Sequence, residues 1–416
     1  MLVFDRWYAG VLQEKLSRPY VHLVFGARQT GKSTLLRALL PAETLVVDLA
    51  DPKERTRHLA DPGAFLKDCC SLPADKAGRF VFVDEVQAAP SIFDAVQHLY
   101  DRDKKRWRFV LCGSSARKLR RTGANLLPGR SFMHRLFPLT VAEHPADEPR
   151  IPYAVSPLPL VWGEGHKQEH PFPACDLLTR LAYGALPGVV AAEERDRAAL
   201  LRSFAFVHLE EEIRREALVK DWGAFVRFMQ LAAAESGQLV NFAAISQESG
   251  VSQPTVKSYY QLLEDMFVGV RIPAFSRSPR KHLLSTPKFL FFDLGVRHAA
   301  AGLTVSPEVV KVNPGPFFEQ WVGLELWKRL QYLEQGRLYH LRTKDGAEVD
   351  FILERGNTLT PIEVKWTENP TRHDARHLLG FLAEHPRQAR HGFIVCRCSR
   401  PQSLHDQITA LPWFCL

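Results

Sequence analysis

The chain has 416 residues, of which 46% are hydrophobic and 24% are charged. These fractions are typical of a folded globular protein and exclude a disordered or fibrous chain, and the length predicts about two to three domains. The formal net charge of +8 favours an anionic partner, with nucleic acid as the first class. No stretch approaches the roughly 18 apolar residues of a membrane-spanning helix, and the N-terminal residues lack a secretory pattern. We therefore expect a cytoplasmic protein with no membrane partner.

The first 145 residues alternate apolar runs with helical patterns. Strands are predicted at residues 21–25, 44–49, 80–83 and 109–112. This alternation is typical of βαβ units around a parallel sheet. The runs are mostly apolar, as in strands that are covered on both faces. Residues 1–145 are therefore predicted to be an α/β domain.

A phosphate-binding pattern, GxxxxGK[ST], follows the first predicted strand. In such a loop the backbone N–H groups surround the phosphates, the lysine reaches the β- and γ-phosphates, and the serine binds Mg²⁺. ATP and Mg²⁺ are therefore the predicted ligands. The candidate binding residues are Gly26, Ala27, Arg28, Gln29, Thr30, Gly31, Lys32, Ser33 and Thr34.

The second half of the nucleotide site is predicted at the end of the strand at 80–83. Asp84 is expected to hold Mg²⁺ together with Ser33. Glu85 follows directly and is expected to act as a general base toward an attacking water. A small-molecule kinase has less need of this second carboxylate, so the pair favours a hydrolase.

Two more predictions lie after the strand at 109–112. Ser114 or Ser115 is placed to sense the γ-phosphate, or else caps a loop. Arg130 is the candidate arginine finger, acting in cis or from a second copy of the chain. The alternative for the basic residues of this region is a surface that faces solvent or DNA. They are Arg117, Lys118, Arg120, Arg121, Arg130 and Arg135.

These motifs, GARQTGKST, FVFVDEVQ, GSSARKLRR and NLLPGR, resemble those of the bacterial and archaeal AAA-like P-loop ATPases that carry a C-terminal domain of unknown function. The resemblance continues through residues 183–188 and the glutamate run at Glu210, and it extends over nearly the whole chain. Its main departure is a long proline-rich stretch at 145–173. It implies an additional-strand P-loop core with the sensor strand between the two Walker strands, and it leaves the cellular role open.

Four further segments are predicted beyond residue 145. Residues 146–175 are a proline-rich connection, because proline fixes φ and removes a donor. Residues 176–235 have a helical pattern, and residues 236–300 have the pattern of a winged helix-turn-helix. Residues 310–416 are predicted to form an α/β domain.

The helix-turn-helix prediction depends on residues 239–263. Gly250 permits the sharp turn between two helices, and residues 268–272 and 289–292 are expected to pair as the wing. The module resembles a winged helix, which contacts DNA through its second helix or, alternatively, contacts protein only. The side chains left facing outward on the second helix are Gln253, Thr255, Lys257 and Ser258.

Acidic residues line up in the last segment. Asp350 is on one predicted strand, Glu363 and Lys365 share a face of the next, and Glu319 is on a preceding helix. This set is similar to the PD-(D/E)XK nuclease core, in which it would hold Mg²⁺ and stabilise charge on a phosphate. Such folds also keep carboxylates for structure, or bind nucleic acid without cutting it, so cleavage stays open.

The sequence as a whole predicts a Mg²⁺-dependent, ATP-hydrolysing protein. Hydrolysis is expected to be coupled to DNA or RNA, with DNA favoured, through the winged helix and the nuclease-like domain. The alternative is a nucleotide-dependent switch that regulates a protein partner and has a catalytically inert C-terminal domain. A homo-oligomer would be required if the arginine finger acts in trans.

Overall fold

The computed structural model shows an α/β protein that divides into two units. Of the described residues, those up to Phe137 and Asp265–Phe267 belong to the first unit, and those at 138–264 and Val268–Leu416 belong to the second. Most of the proline-rich stretch predicted at 145–173 lies outside the described residues. The residues that the structure describes are 4–73, 78–114, 127–147, 171–208, 211, 213, 219, 221–276, 286–343 and 346–416.

A parallel five-stranded sheet forms the centre of the first unit, in the order β2-β3-β4-β1-β5. The four predicted strands are confirmed with small shifts at their ends, and β5 is a strand that the sequence did not predict. β4 lies between β1 and β3, which is the order that the resemblance implied. The strands are β1 Val21–Phe25, β2 Leu45–Asp48, β3 Arg79–Asp84, β4 Trp107–Gly113 and β5 Ser131–Arg135.

Helices connect these strands and bury the sheet. All five residues of β1 are buried, including His22 in an otherwise apolar run, as expected for a strand that is covered on both faces. α3 begins at the N-cap Asp51, whose side chain accepts a hydrogen bond from the Lys53 N–H. The helices described in this unit are α1 Tyr8–Leu16, α2 Lys32–Leu39, α3 Pro52–Ala60, α4 Ala64–Cys70 and α5 Ile92–Arg102.

The N-terminal part of the second unit is helical. The glutamate run around Glu210 lies largely outside the described residues. The helices described up to residue 300 are α6 Leu177–Tyr183, α7 Pro187–Val190, α8 Glu194–Ser203, α9 Trp222–Ala234, α10 Phe242–Ser249, α11 Gln253–Asp265 and α12 Leu294–Ala300.

The predicted helix, turn and helix are present in α10 and α11. α10 ends at Gly250, which has φ +75°. Tyr260 of α11 packs edge-on against Phe228 of α9 and Phe289. The predicted wing strands, β6 Gly269–Ile272 and β7 Lys288–Phe291, pair antiparallel. The elements therefore occur in the predicted order, and their role in DNA binding stays a prediction.

A mixed six-stranded sheet ends the chain, in the order β12-β13-β11-β10-β9-β8. The predicted acidic hairpin is formed by β9 and β10, which pair antiparallel. The strands are β8 Arg337–Arg342, β9 Glu348–Arg355, β10 Thr358–Val364, β11 Gly392–Cys396, β12 Gln402–His405 and β13 Ile408–Pro412.

Helices cover this sheet as well. They are α13 Pro307–Val312, α14 Gly315–Leu333 and α15 Arg376–Glu384. Leu378 and Phe381 of α15 join a buried apolar cluster with Ile352, Leu359 and Ile394 of the sheet. No helix in the described part of the chain is both long enough and apolar enough to cross a membrane.

Candidate functional site

The P-loop candidates form the connection between β1 and α2. Phe25, the last residue of β1, is in register with Gly113 of β4 on one side and with Arg135 of β5 on the other. Because the carboxyl ends of parallel strands meet at one edge of a sheet, Ser114 and the loop after Phe25 lie at the same edge. The sequence predicted these two parts of the site separately, and the sheet brings them together.

The loop has the backbone of an anion-binding turn. A Cβ at Gly26 would clash with the carbonyl oxygen of Leu136, so a larger residue does not fit there. Gly31 has φ +86° directly before α2, and no side chain caps that helix. The first N–H groups of α2 are therefore available to an anion.

Lys32 lies along the inside of this loop. Its Nζ donates hydrogen bonds of 2.9 Å to the carbonyl oxygen of Gly26 and 2.8 Å to that of Ala27. The side chain is buried although it carries a charge. The lysine therefore stabilises the loop in the conformation that would surround a phosphate.

Asp84 contacts the end of the loop from β3. Ser33 Oγ donates a hydrogen bond of 2.9 Å to Asp84 Oδ1, although the two residues are 51 positions apart in sequence. Arg37 Nη2 lies 3.9 Å from Asp84 Oδ2 and 2.8 Å from Asp48 Oδ2. A hydroxyl and a carboxylate in contact are oxygen ligands of the kind that Mg²⁺ prefers, so these residues fit the predicted cation.

Gln87, which the sequence analysis did not predict, forms hydrogen bonds with both Glu85 and the sensor candidate Ser114. Gln87 Nε2 donates to Glu85 Oε2, and it also donates a hydrogen bond of 3.1 Å to Ser114 Oγ. Gln87 Oε1 is buried and has no hydrogen-bond partner among the described residues. A polar residue in the short turn after the two carboxylates was the signal available in the sequence.

Arg130 does not lie at the phosphate edge. It precedes β5, and its carbonyl oxygen accepts a hydrogen bond from the N–H of Val21, the first residue of β1. Five strand residues separate this position from the P-loop, a distance of about 15 Å. Arg130 Nε instead donates to Asp101 Oδ1 at 2.6 Å. The prediction of a finger acting in cis is therefore wrong, while action on a second copy is untested.

Other basic candidates have different positions. Arg135 ends β5 at the phosphate edge, with its guanidinium 6.0 Å from the ring centre of Phe267. Arg6 was not predicted, and it donates at 2.6 Å to the P-loop carbonyl of Thr30 and at 2.8 Å to that of Phe137. The candidates that lie outside the described residues are Ser115, Arg117, Lys118, Arg120 and Arg121.

The acidic hairpin of the second unit is the other candidate site. Lys365 Nζ donates to Glu363 Oε1 at 2.6 Å, as expected for residues on one face. Asp350 Oδ2 accepts a hydrogen bond of 2.7 Å from the Val364 N–H. Burial, with the negative charges of Glu319 and Glu363, raises the pKa of Asp350 well above its ordinary value. Burial also raises the pKa of Glu363, although Lys365 opposes this shift.

Glu319 has a partner that the sequence did not suggest. Lys288 Nζ, at the start of β7, lies 2.7 Å from Glu319 Oε1 and 3.5 Å from Glu348 Oε1. Burial alone would lower the pKa of Lys288, but the charges of Glu319 and Asp350 outweigh it and the pKa is raised. Lys288 is therefore a buried cation among carboxylates.

These contacts correct the predicted metal site. No three His, Cys, Asp or Glu side chains of the described residues are grouped so that they could hold one metal ion. Glu319 is paired with Lys288, and Glu363 is paired with Lys365. Glu363 Oε2 is buried without a hydrogen-bond partner among the described residues, so a cation held by Asp350 and Glu363 alone still fits.

Comparison with known families agrees with the geometry of the first unit. Residues 18–144 match the family model described as an AAA domain. This part of the chain is therefore similar to P-loop ATPase domains of the AAA type. Residues 175–306 match a domain of unknown function (DUF8612), which spans both the helical region and the helix-turn-helix. Residues 314–416 match another domain of unknown function (DUF4143), which contains the acidic hairpin.

Two relatives resemble most of the chain at low identity. An uncharacterized protein of Mycobacterium tuberculosis is 26% identical over 372 residues, which is 89% of this chain and 76% of the relative. An uncharacterized protein of Haemophilus influenzae is 24% identical over 380 residues, 86% of each chain. A Walker-type ATPase of Pyrococcus abyssi aligns with 72% of this chain and 96% of its own at 14% identity, with a TM-score of 0.43, which is too low to establish a common fold.

Proposed function

We propose that this protein is a Mg²⁺-dependent ATP hydrolase whose turnover is coupled to nucleic acid, DNA in preference to RNA. The observation that carries the hydrolase part is the 2.9 Å hydrogen bond between Ser33 Oγ and Asp84 Oδ1. This contact brings the P-loop and the end of β3 together, with Glu85 as the next residue. The match of residues 18–144 to an AAA domain supports the same function.

The residues of the first unit have separate tasks in this reaction. Lys32 exchanges its contacts with the Gly26 and Ala27 carbonyl groups for oxygens of the β- and γ-phosphates. Bound Mg²⁺ supplies positive charge to the same phosphates. Glu85 accepts a proton from water while the water oxygen bonds to the γ-phosphorus. The bond from that phosphorus to the β,γ-bridging oxygen breaks, and ADP and phosphate leave.

Coupling to nucleic acid is supported by the net charge and by the surface of α11. The formal net charge is +8. Gln253, Lys257 and Ser258 are exposed on α11, and Thr255 is half-buried. Uncharged polar side chains beside a lysine on one helix suit hydrogen bonds to base edges and a contact to phosphate. This part of the proposal predicts turnover that DNA stimulates and that salt weakens.

One observation favours the second candidate function, a nucleotide-dependent switch that regulates a protein partner. Glu319 and Glu363 are each paired with a lysine, at 2.7 Å and 2.6 Å. Paired carboxylates need no metal ion for charge balance. A C-terminal domain that does not cleave nucleic acid is therefore compatible with the structure, and the two functions differ in whether DNA changes ATP turnover.

ATP turnover with and without single- and double-stranded DNA, at two salt concentrations, tests the proposal. Glu85→Gln is expected to lower kcat about 10²-fold or more while nucleotide binding persists. The integrity of the DNA is followed in the same reactions, with Glu363→Ala as the comparison. Salt-sensitive stimulation supports coupling, and loss of cutting in Glu363→Ala would identify a nuclease. Turnover that is indifferent to nucleic acid would instead favour the protein-partner switch.

A further inference from the structure

Two carboxylates of the second unit, Glu319 and Glu348, contact Lys288, which comes from outside the acidic hairpin. Lys288 opens β7, the strand that pairs with β6 next to the helix-turn-helix. Its side chain crosses to α14, where it meets Glu319, and to β9, where it meets Glu348. The lysine thus links the elements that precede α14 in sequence to the mixed sheet that follows.

The surroundings of Lys288 are those of an internal counter-ion. Its side chain is only 4% exposed, while Glu319 and Glu348 are 28% and 38% exposed. Its Nζ also lies 5.8 Å from the ring centre of Phe351. A buried ammonium is costly unless it is paired, and here two carboxylates and an aromatic face surround it. Lys288 is therefore a buried charge that is neutralised by specific partners, and its pairing differs from that of an exposed surface lysine.

The position of this ammonium decides what Glu319 can do. Glu319 Oε1 already accepts a charge-assisted hydrogen bond of 2.7 Å from Lys288. A divalent cation at Glu319 would have to displace the ammonium or lie beside it, and like charges at such distances in a buried site repel strongly. The Lys288 ammonium and a divalent metal ion are thus alternative partners of Glu319.

We propose that Lys288 is a built-in cation that takes the place of a metal ion at Glu319 and Glu348, so that this side of the carboxylate cluster is closed to divalent metals. Asp350 and Glu363 are then the remaining carboxylates of the cluster, and Glu363 has its own partner in Lys365. This inference does not depend on ATP hydrolysis, because its test measures metal binding.

Mn²⁺ binding, followed by loss of the free-ion paramagnetic resonance signal, tests the proposal. All variants carry Asp84→Asn, which removes ion uptake at the P-loop. Lys288→Met and Lys288→Gln are expected to bind Mn²⁺ at least tenfold more tightly than the protein with Lys288, because each removes the ammonium. Lys288→Arg keeps the charge and is expected to leave affinity unchanged. Circular dichroism shows which variants are folded. Two neutral variants are made so that the test can still be carried out if one of them does not fold.

The added substitution Glu319→Gln then locates the ion. In either neutral variant it is expected to return Mn²⁺ affinity to the value of the protein with Lys288. A folded neutral variant that gains no affinity would overturn the proposal. A gain that survives Glu319→Gln would also overturn it, because the ion would then lie elsewhere.

Discussion

Gln87 Nε2 donates a hydrogen bond of 3.1 Å to Ser114 Oγ, and the same amide donates to Glu85 Oε2. One side chain therefore joins the candidate general base to the candidate sensor of the γ-phosphate. Glu85 itself has φ +54°, an uncommon conformation for a residue with a side chain. Such local conformations persist where the surroundings hold them, and the Gln87 amide is part of those surroundings.

Gln87→Ala is expected to lower kcat for ATP hydrolysis about tenfold, with KM for ATP changed less than about twofold, since Gln87 orients Glu85 and does not contribute to the P-loop. Steady-state kinetics and nucleotide-binding titrations measure the two effects separately. Gln13→Ala, at an exposed position of α1, is the matched control and should change neither value. A rise in KM with unchanged kcat would show that Gln87 acts on nucleotide binding instead.

Arg6 is expected to support the P-loop from outside the motif. Its guanidinium bridges the carbonyl oxygens of Thr30 and Phe137 at 2.6 Å and 2.8 Å, and a lysine ammonium lacks the planar fork for both contacts. Arg6→Lys should therefore weaken ATP binding about tenfold or more, since hydrogen bonds to charged groups contribute about 1.5–3 kcal/mol and about 1.4 kcal/mol is a factor of ten. A fluorescent ATP analogue measures this affinity.

The control for Arg6 is Arg18→Lys, because the side chain of Arg18 is 51% exposed and pairs with Glu14 on the surface. This variant should bind ATP as tightly as the wild-type protein. If Arg6→Lys lowered the melting temperature but left ATP affinity unchanged, the role of Arg6 would be structural only.

In the first unit, the strands that the sequence predicted and the one that it missed differ for a physical reason. β1 and β3 are mostly apolar runs followed by motif residues, and both were predicted. β5 has the sequence SFMHR, whose polar residues hide the strand. His134 of β5 is nevertheless buried, because its partner for hydrogen bonding, His22, is supplied by the neighbouring strand β1. Such a partner is visible only after folding.

The residues of the candidate sites also fall into those that the local sequence predicts and those whose position depends on the fold. The P-loop, Asp84 and Glu85 follow local rules of spacing, so their meeting at one sheet edge was predictable. Arg130 was chosen from its place in the chain, which does not reveal the end of the sheet at which it lies. Lys288 begins an apolar strand and reads as a boundary residue, because its acidic partners are 31 and more positions away in sequence.

A buried charge cluster on α14 should make a large contribution to stability. Glu325 is 1% exposed, and its oxygens lie 3.1 Å from Lys328 Nζ and 3.1 Å from Arg329 Nε. Glu325→Gln keeps the volume but leaves two buried cations without this counter-charge. The expected loss is about 3–5 kcal/mol in the free energy of unfolding.

Urea unfolding followed by tryptophan fluorescence measures this loss. Glu308→Gln, at an exposed position of α13, is the control and should change the free energy by less than about 0.5 kcal/mol. If both variants lost a similar amount of free energy of unfolding, the charge cluster on α14 would make no larger contribution to stability than an exposed residue.

A chain of hydrogen bonds across β1 and β5 predicts that the first unit loses stability in acid. The carbonyl oxygen of Arg18 can only accept, so His22 Nε2 is the donor of that 3.2 Å hydrogen bond. Neutral His22 then accepts at Nδ1 from His134 Nε2–H, at 3.1 Å. His134 Nδ1 in turn accepts from the Tyr8 hydroxyl at 3.0 Å. Both imidazoles are therefore held neutral, and a proton on His22 Nδ1 would face another N–H group.

Burial accordingly lowers the pKa of His22 to about 4 and that of His134 to about 3, from an ordinary value of 6.5. Below pH 6.5 the unfolded chain binds protons that the folded chain does not, so stability falls as the pH falls toward these lowered values. Each histidine contributes about 1.4 kcal/mol per pH unit within that window. Above pH 6.5 the two histidines should contribute no pH dependence.

His134→Gln is expected to reduce this slope, because one of the two groups that titrate is removed. Urea unfolding between pH 5 and pH 8, read by hydrogen exchange in peptides that cover β1 and β5, measures it for the first unit alone. His405→Gln, in the second unit, is the control. A slope below pH 6.5 that is the same in His134→Gln and in the wild-type protein would show that the acid lability has another source.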